Sequence, residues 1–277
     1  MLKVRGLSLD RFAAFLAIAD AGGLARAAPG EPVRQSQLSR QLKDLETALA
    51  QPLFVRTGKG LTLTPAGVAL SGLVRTLGQG LDDIAAVERG PVRVSLAAGD
   101  SVLQWVVLPK LALLEESLVG IDLAVEAAGA DGTVTALLEH RVDLGLLRTT
   151  ETTDALKTVR LGRVEYAVFH RIGAPPRPLA VPTTERGLDA ALTGPVGLRC
   201  ETFPQVAQAV RSGRFCGVLP TFARSVLPAA EFRMQHTAAL DRVGAPLLLA
   251  WRPRTLELRP QVKRLRHALE LLVRQAL

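Results

Sequence analysis

Between residues 34 and 43 stand Arg34, Gln35, Ser36, Gln37, Ser39, Arg40 and Lys43, a set of donors, acceptors and cations with almost no apolar bulk. Such a set suits the base edges and phosphates of a nucleic acid better than bond-making chemistry. The spacing is helical. Leu38, Leu42, Leu45 and Leu49 recur at i, i+4, i+7 and i+11, which is one narrow stripe that requires a core beneath it. At about 100° per residue, Ser36, Arg40 and Lys43 share the opposite face, flanked by Gln37 and Ser39. An ordinary solvated helix face has the same composition, so the elements around it decide between the two readings.

Those elements have the order of a winged helix-turn-helix. Leu9, Phe12, Phe15, Leu16 and Ala19 give an amphipathic first helix that stops at Gly22-Gly23. A short second helix from Gly23 to Ala28 precedes the polar one, as in helix-turn-helix motifs. Pro29-Gly30-Glu31-Pro32 ends it, and an extended loop is predicted to lead into the third helix. Leu53-Phe54-Val55 and Leu61-Thr62-Leu63 are strand-like runs around Thr57-Gly58-Lys59-Gly60. They predict a wing that sets Arg56, Thr57 and Lys59 along a phosphate backbone. Thr64 is then a good N-cap with Pro65 at the first helical position. Leu70, Val74, Leu77, Leu81 and Ile84 follow at coiled-coil spacing, a dimerisation seam. Gly67, Gly72, Gly78 and Gly80 each weaken an isolated helix by up to about 1 kcal/mol, so this helix needs a partner.

Phe12 and Phe15, Ala27-Ala28, Gln35, Leu38-Ser39-Arg40-Gln41, Leu45-Glu46, Leu53-Phe54, Arg56 and Leu63-Thr64-Pro65-Ala66-Gly67 stand in an order and spacing that resemble the LysR-type transcriptional regulators over residues 7–90. The resemblance implies a homodimer joined along the linker helix, with further pairing into a homotetramer left open. One departure is Arg34, where many relatives have a serine that caps the recognition helix. It exchanges a capping oxygen worth roughly 1 kcal/mol for a cation near the DNA.

Charge divides the chain in the same way. Residues 1–64 hold nine Lys or Arg against five Asp or Glu, whereas residues 92–250 hold sixteen of each. The last 27 residues return to a net charge of +5. A basic N-terminal module fits a polyanion, and a neutral middle fits a different task. The terminal cluster Arg252, Arg254, Arg259, Lys263, Arg264 and Arg266 reads as the solvated side of an amphipathic helix whose inner face is Val262, Leu265, Leu269 and Leu272; the alternative is a second nucleic-acid contact.

From Pro91 the pattern is α/β. Val92-Val94-Leu96, a helix from Ser101 to Leu118, Ile121–Ala127, a helix from Gly132 to His140 and Val142–Leu147 make a βαβαβ run that predicts a parallel sheet. A second set contains Tyr166–Phe169, Val196–Leu198, a helix from Gln205 to Ser212, Gly217–Leu219 and Leu247–Trp251. Two lobes with crossings near Leu161 and Trp251 resemble the effector-binding domain of the same family, which has the fold of periplasmic solute-binding proteins. The expected organisation is therefore a DNA-binding domain over residues 1–64, a linker helix over 65–90 and a two-lobed α/β regulatory domain over 91–277.

Ligands of such sheets bind beyond the carboxyl ends of strands. Ser101, Arg148, Thr149 and Thr202 are expected to converge there on a small organic acid or amino acid, with Phe203 as an apolar wall. Glu201 disfavours a strongly anionic ligand, and Ala130 stands where relatives often carry a polar anchor. No phosphate loop, nucleophile elbow or metal-ligand spacing is present. Cys200 and Cys216 read as free thiols, and the absence of a signal-like or membrane-length apolar run points to the cytoplasm. The reading is a DNA-binding transcriptional regulator with a small-molecule effector and no cofactor. The alternatives are a regulator whose cleft binds no ligand, or a metabolite-binding protein or enzyme built on the two-lobed fold.

Overall fold

Apolar spacing and two glycines shape the N-terminal unit. In the computed structural model, which describes residues 6–57, 60–86, 90–149, 153–183, 185, 187–192 and 194–276, the chain divides into units Met1–Ala85 and Ala86–Leu277. In the first, α1 (Leu9–Ala21), α2 (Leu24–Ala27) and α3 (Pro32–Leu49) bury Phe15, Ile18, Leu38, Leu42 and Leu45 around Leu53. Ser8 caps α1 from its side chain, and Gly22 ends it in the left-handed region. Between α2 and α3 the linkage is a tight turn, not an extended loop: Gly30 takes φ 74° and Pro32 is already in the first turn of α3. Proline has no N–H to leave unpaired there, which is why Pro29-Gly30-Glu31-Pro32 shortens the turn without distorting the helix. Arg34 accordingly lies inside α3, and Glu31 at the N-cap makes no side-chain capping bond.

Strands β1 (Phe54–Thr57) and β2 (Gly60–Leu63) form the antiparallel hairpin, and Phe54 packs on Phe15 with ring centroids 5.5 Å apart. Helix α4 (Pro65–Ala86) starts with the Thr64 hydroxyl accepting from Gly67 N at 3.0 Å and donating to Pro52 O at 2.8 Å. Val74 is buried, and Leu70 packs on the unit's own core. Leu77, Leu81 and Ile84 are exposed together with Leu73, which the sequence reading of the seam left out. The free apolar stripe is therefore Leu73, Leu77, Leu81 and Ile84, with Leu70 and Val74 at its inner margin.

The second unit contains two five-stranded sheets. One runs β4-β3-β5-β12-β6, from β3 (Val92–Ala98), β4 (Ile121–Ala127), β5 (Leu144–Arg148), β6 (Lys157–Val164) and β12 (Ala245–Trp251). The other runs β11-β7-β10-β8-β9, from β7 (Tyr166–Arg171), β8 (Leu179–Pro182), β9 (Val196–Cys200), β10 (Cys216–Pro220) and β11 (Phe232–Gln235). The pairings of β3 with β4 and β5, and of β8 with β9 and β10, are parallel; β12 and β7 pair antiparallel with their neighbours. The chain passes between sheets at Glu165 and again at Gly244. The second crossing thus precedes β12, and Trp251 is the last residue of that strand rather than a crossing. The stretch from Ser101 to Leu118 is not one helix. It begins as α5 (Asp100–Val102), widens into a π turn over Leu103–Val107, tightens into a 3-10 segment over Leu108–Leu114 with Lys110 outside helical geometry, and ends as α6 (Glu115–Leu118). Pro109 lacks the N–H that a continuous α-helix would need.

Helices α7 (Ala130–Leu138), α8 (Phe203–Arg211), α9 (Ala238–Val243), α10 (Thr255–Leu258) and α11 (Pro260–Arg274) complete the unit. The inner face of α11 is Val262, Leu265, Leu269, Leu272 and Val273, all buried. The basic residues around it divide: Lys263, Arg264 and Arg274 are solvated, whereas others are enclosed. Arg259 is buried against the Asp143 carboxylate, which also accepts from Ser95 N at 2.9 Å and the Ser95 hydroxyl at 3.0 Å. Arg252 is buried too, donating to the carbonyls of Leu137 and Val142. Arg266 lies 4.6 Å from the centre of the Trp251 ring and pairs with Glu270. Arg252, Arg259 and Arg266 thus brace the lobe, while Arg254, Lys263 and Arg264 stay exposed on its surface.

Candidate nucleic-acid interface and ligand cleft

Helix α3 presents its polar residues away from the leucine core. Arg34, Ser36, Gln37, Ser39, Arg40 and Lys43 are all exposed, and no hydrogen bond or ion pair holds the cations Arg34, Arg40 and Lys43 among the described residues. Gln35 is different. It is half-buried, and its Nε2 donates to Ala28 O at 2.8 Å, tying α3 to the end of α2. Two further contacts, not read from the sequence, fix the same helix: Arg11 bridges Asp44 at 3.0 Å from α1, and Glu46 Oε1 accepts from Leu53 N at 2.7 Å at the root of the hairpin. The helix is thus braced from three sides while its cationic face stays unengaged. On the hairpin, Arg56 is exposed, but the Thr57 hydroxyl donates to Gly60 O at 3.2 Å and lies 3.4 Å from the Thr62 hydroxyl. Thr57 closes the turn. Lys59 lies outside the described residues.

In the second unit, Ser101, Arg148 and Phe203 come together in a cleft of about 70 Å³ between the sheets, with Val102, Ala130, Leu146 and Phe222 among its walls. Thr149 and Thr202 do not join them. Thr149 faces a separate depression beside Val134 and Leu156, because successive residues at a strand end point to opposite sides. Thr202 is used up in a capping box, accepting from Gln205 N while Gln205 Oε1 accepts from Thr202 N and Glu201 N. The capping box thus satisfies the Thr202 and Gln205 N–H groups at the start of α8.

Two cleft residues were not legible beforehand. Arg148 forms an ion pair with Glu185, which enters from the loop after β8 and is only 13% exposed at its side chain. Tyr166, the chain's only tyrosine, is fully buried; its ring stacks on Phe203 at 5.6 Å and lies 5.6 Å beneath the Arg148 guanidinium. Its hydroxyl has no hydrogen-bond partner among the described residues. Burial pushes that phenol up to about 12, with Arg148 pulling the other way. The cleft thus offers one cation, one anion and two hydroxyls on otherwise apolar walls.

Residues 9–68 match the family described as bacterial regulatory helix-turn-helix protein, lysR family, and residues 88–273 match the LysR substrate binding domain. An uncharacterized HTH-type transcriptional regulator of Mycobacterium tuberculosis is 27% identical over 177 residues, 60% of this chain and 57% of that protein. The small neutral protease regulatory protein of Streptomyces coelicolor is 42% identical over 98 residues, 35% of this chain and 29% of that one. The chain spans 57% of the length of the first curated relatives it matches. Among solved structures, full-length LysG of Corynebacterium glutamicum with its bound effector arginine superposes with a TM-score of 0.67 at 20% identity, covering 95% of this chain and 98% of that chain. Full-length CbnR in complex with its target DNA gives 0.53 at 20% identity, over 95% and 100% of the two chains. At that identity the agreement is one of fold: N-terminal helices followed by a two-sheet α/β domain.

Proposed function

The chain belongs to the LysR family of bacterial regulators, and from that membership we propose that it is a sequence-specific, DNA-binding transcriptional regulator whose two-lobed domain senses a small molecule. The observation that carries the reading is the pairing of a braced helix, whose Ser36, Ser39, Arg40 and Lys43 are exposed and unengaged, with a separate polar cleft in the second unit. Arg34, Gln37 and Arg56 add to the same surface, whereas Gln35 and Thr57 serve to shape it. Self-association along the exposed stripe of α4 would set two such helices in successive major grooves, about one helical turn of DNA or a multiple apart. Nothing in the sequence or the cleft assigns a reaction, and binding without turnover is the activity expected of it. No helix among the described residues is long and apolar enough to cross a membrane, in keeping with a cytoplasmic site of action.

The test is fluorescence anisotropy on DNA upstream of the chain's own gene and on a shuffled control, at about 150 mM salt, where nonspecific phosphate binding is weak. Preference by about a thousandfold is expected for a specific site. Arg40→Ala should cost about 1–3 kcal/mol and relax base preference, while Arg56→Ala should weaken all sequences alike and lower the salt slope by about 1. Equal losses on specific and shuffled DNA for both variants would contradict this division of roles, and a preferred site selected from random DNA would be needed if the upstream sequence were not bound.

A further inference from the structure

The cleft's polar groups are balanced in charge, and the balance constrains what can enter. Arg148 ends β5 in one lobe, Glu185 follows β8 in the other, and they pair directly across the cleft. A simple carboxylate that took Arg148 would leave Glu185, 13% exposed, without its counter-ion beside a second negative charge. A simple amine that took Glu185 would strand Arg148 in the same way. Only a ligand carrying both charges replaces one ion pair by two. The two side chains are in contact, so the ligand's charges must also be close together, as they are when an ammonium and a carboxylate share one carbon.

The remaining groups point the same way. Tyr166 lines the cleft, and its hydroxyl is fully buried and has no partner among the described residues. A buried hydroxyl without a partner is uncommon and calls for one. Ser101, 7% exposed, lines the same space. Both can donate to a carboxylate seated on Arg148. The rest of the lining carries no polar side chain and includes Val102, Leu146, Val164, Phe203, Phe222 and Leu247, and the free volume is about 70 Å³. Neither the walls nor the space suit a long or charged side chain.

We propose, on the footing that the cleft is the effector site, that the effector is a small α-amino acid zwitterion with a short uncharged side chain: Arg148, Ser101 and Tyr166 hold its carboxylate and Glu185 its ammonium. Binding inserts the ligand between Arg148 and Glu185, so this one of the contacts between the lobes runs through the ligand in the occupied state. Such differential contact is what a shift between two arrangements requires.

Isothermal titration of the full chain tests this with glycine, L-alanine, L-serine, L-valine and L-arginine, set against acetate, propionate, ethylamine, N-acetyl-L-alanine and L-alaninamide. Binding is expected from one or more of the short amino acids. Masking either charge should weaken it about 10-fold or more, as should Arg148→Gln and Glu185→Gln. Tyr166→Phe should weaken it by about the same factor, since it removes one hydrogen bond to a charged group. Thermal melting of each variant confirms that it is folded, and Glu185→Gln, an isosteric change in a loop, remains informative if Tyr166→Phe destabilises. Equal binding of acetate or propionate, unaffected by Glu185→Gln, would overturn the zwitterion and leave the cleft as an effector site. Binding of L-arginine in preference to the short amino acids would overturn the assigned size. No heat from any compound, with sequence-specific DNA binding intact, would overturn both the proposal and the effector role of the cleft, leaving the DNA-binding reading standing.

Discussion

At Tyr166 a single side chain reports on the state of the cleft. The residue is the chain's only tyrosine, so tyrosinate absorbance reads it alone. Its phenol is displaced upward to about 12 from an ordinary value of 10.0, chiefly because burial penalises the anion. The unfolded chain therefore ionises first, and above about pH 10 it binds fewer protons than the folded one. The stability this group contributes is present in full below pH 10 and is lost as pH rises to about 12. Absorbance titration of the native protein should show its transition near the upper value, moving to the lower one in guanidinium chloride. Urea midpoints of wild type and Tyr166→Phe should diverge across the same window. A native transition already complete at pH 10 would mean that the hydroxyl is solvated. The residue was invisible as a site in the sequence, because strand β7 announces itself by its apolar run and not by where its first residue points.

Among the elements, α4 depends on a glycine at its start. A Cβ on Gly67 would lie 2.1 Å from Leu53 O and 2.9 Å from Leu63 Cδ2, and the first of these is backbone whose carbonyl already accepts from Thr64 N at 3.0 Å. Gly67→Ala should therefore push the helix off the root of the hairpin and cost the N-terminal unit about 1–3 kcal/mol, the usual range for overpacking. Both tryptophans, Trp105 and Trp251, lie in the second unit. Far-ultraviolet circular dichroism should thus show an early loss of helix in the variant while tryptophan fluorescence keeps its wild-type midpoint; unchanged dichroism would show that the turn tolerates a methyl group. Helices α1, α3 and α4 were legible because their apolar residues repeat at the helical period and because Gly22, Thr64 and Pro65 mark the end of α1 and the start of α4. Strands β6 and β11 were not, since both are sheet edges in which Lys157, Arg160 and Arg233 interrupt the few apolar residues and leave no apolar run to mark them. For the cleft, Ser101, Arg148 and Phe203 could be found from strand ends. Glu185 could not, because only the juxtaposition of the two lobes brings it to Arg148. Thr202 misled because a capping threonine and a ligand-facing one look the same in sequence.

For the whole molecule the question is how a modest net charge of +4 on residues 1–64 could yield a regulator of useful affinity. One recognition helix and one hairpin reach few phosphates, and counterion release scales with their number. Doubling them on one rigid span makes the second contact intramolecular, with an effective concentration in the millimolar range and a gain of about 10²–10⁴-fold. On the proposed reading the exposed stripe of Leu73, Leu77, Leu81 and Ile84 would supply a surface for that doubling: Leu73 is 53% and Ile84 72% exposed, unusual for apolar residues lined up on one helix face. Replacing Leu77 and Leu81 together by glutamate leaves the core of each unit untouched but sets like charges against each other in a paired helix. Sedimentation should then show a chain of half the wild-type mass. Affinity for the specific site should fall by about 10²-fold or more, and the slope of log affinity against log salt should fall to about half, because each bound chain releases half the counterions. The slope separates this cause from simple loss of fold, which would abolish binding at every salt concentration. A double variant that keeps both the wild-type mass and the wild-type slope would place self-association on a different surface and leave this stripe to another use.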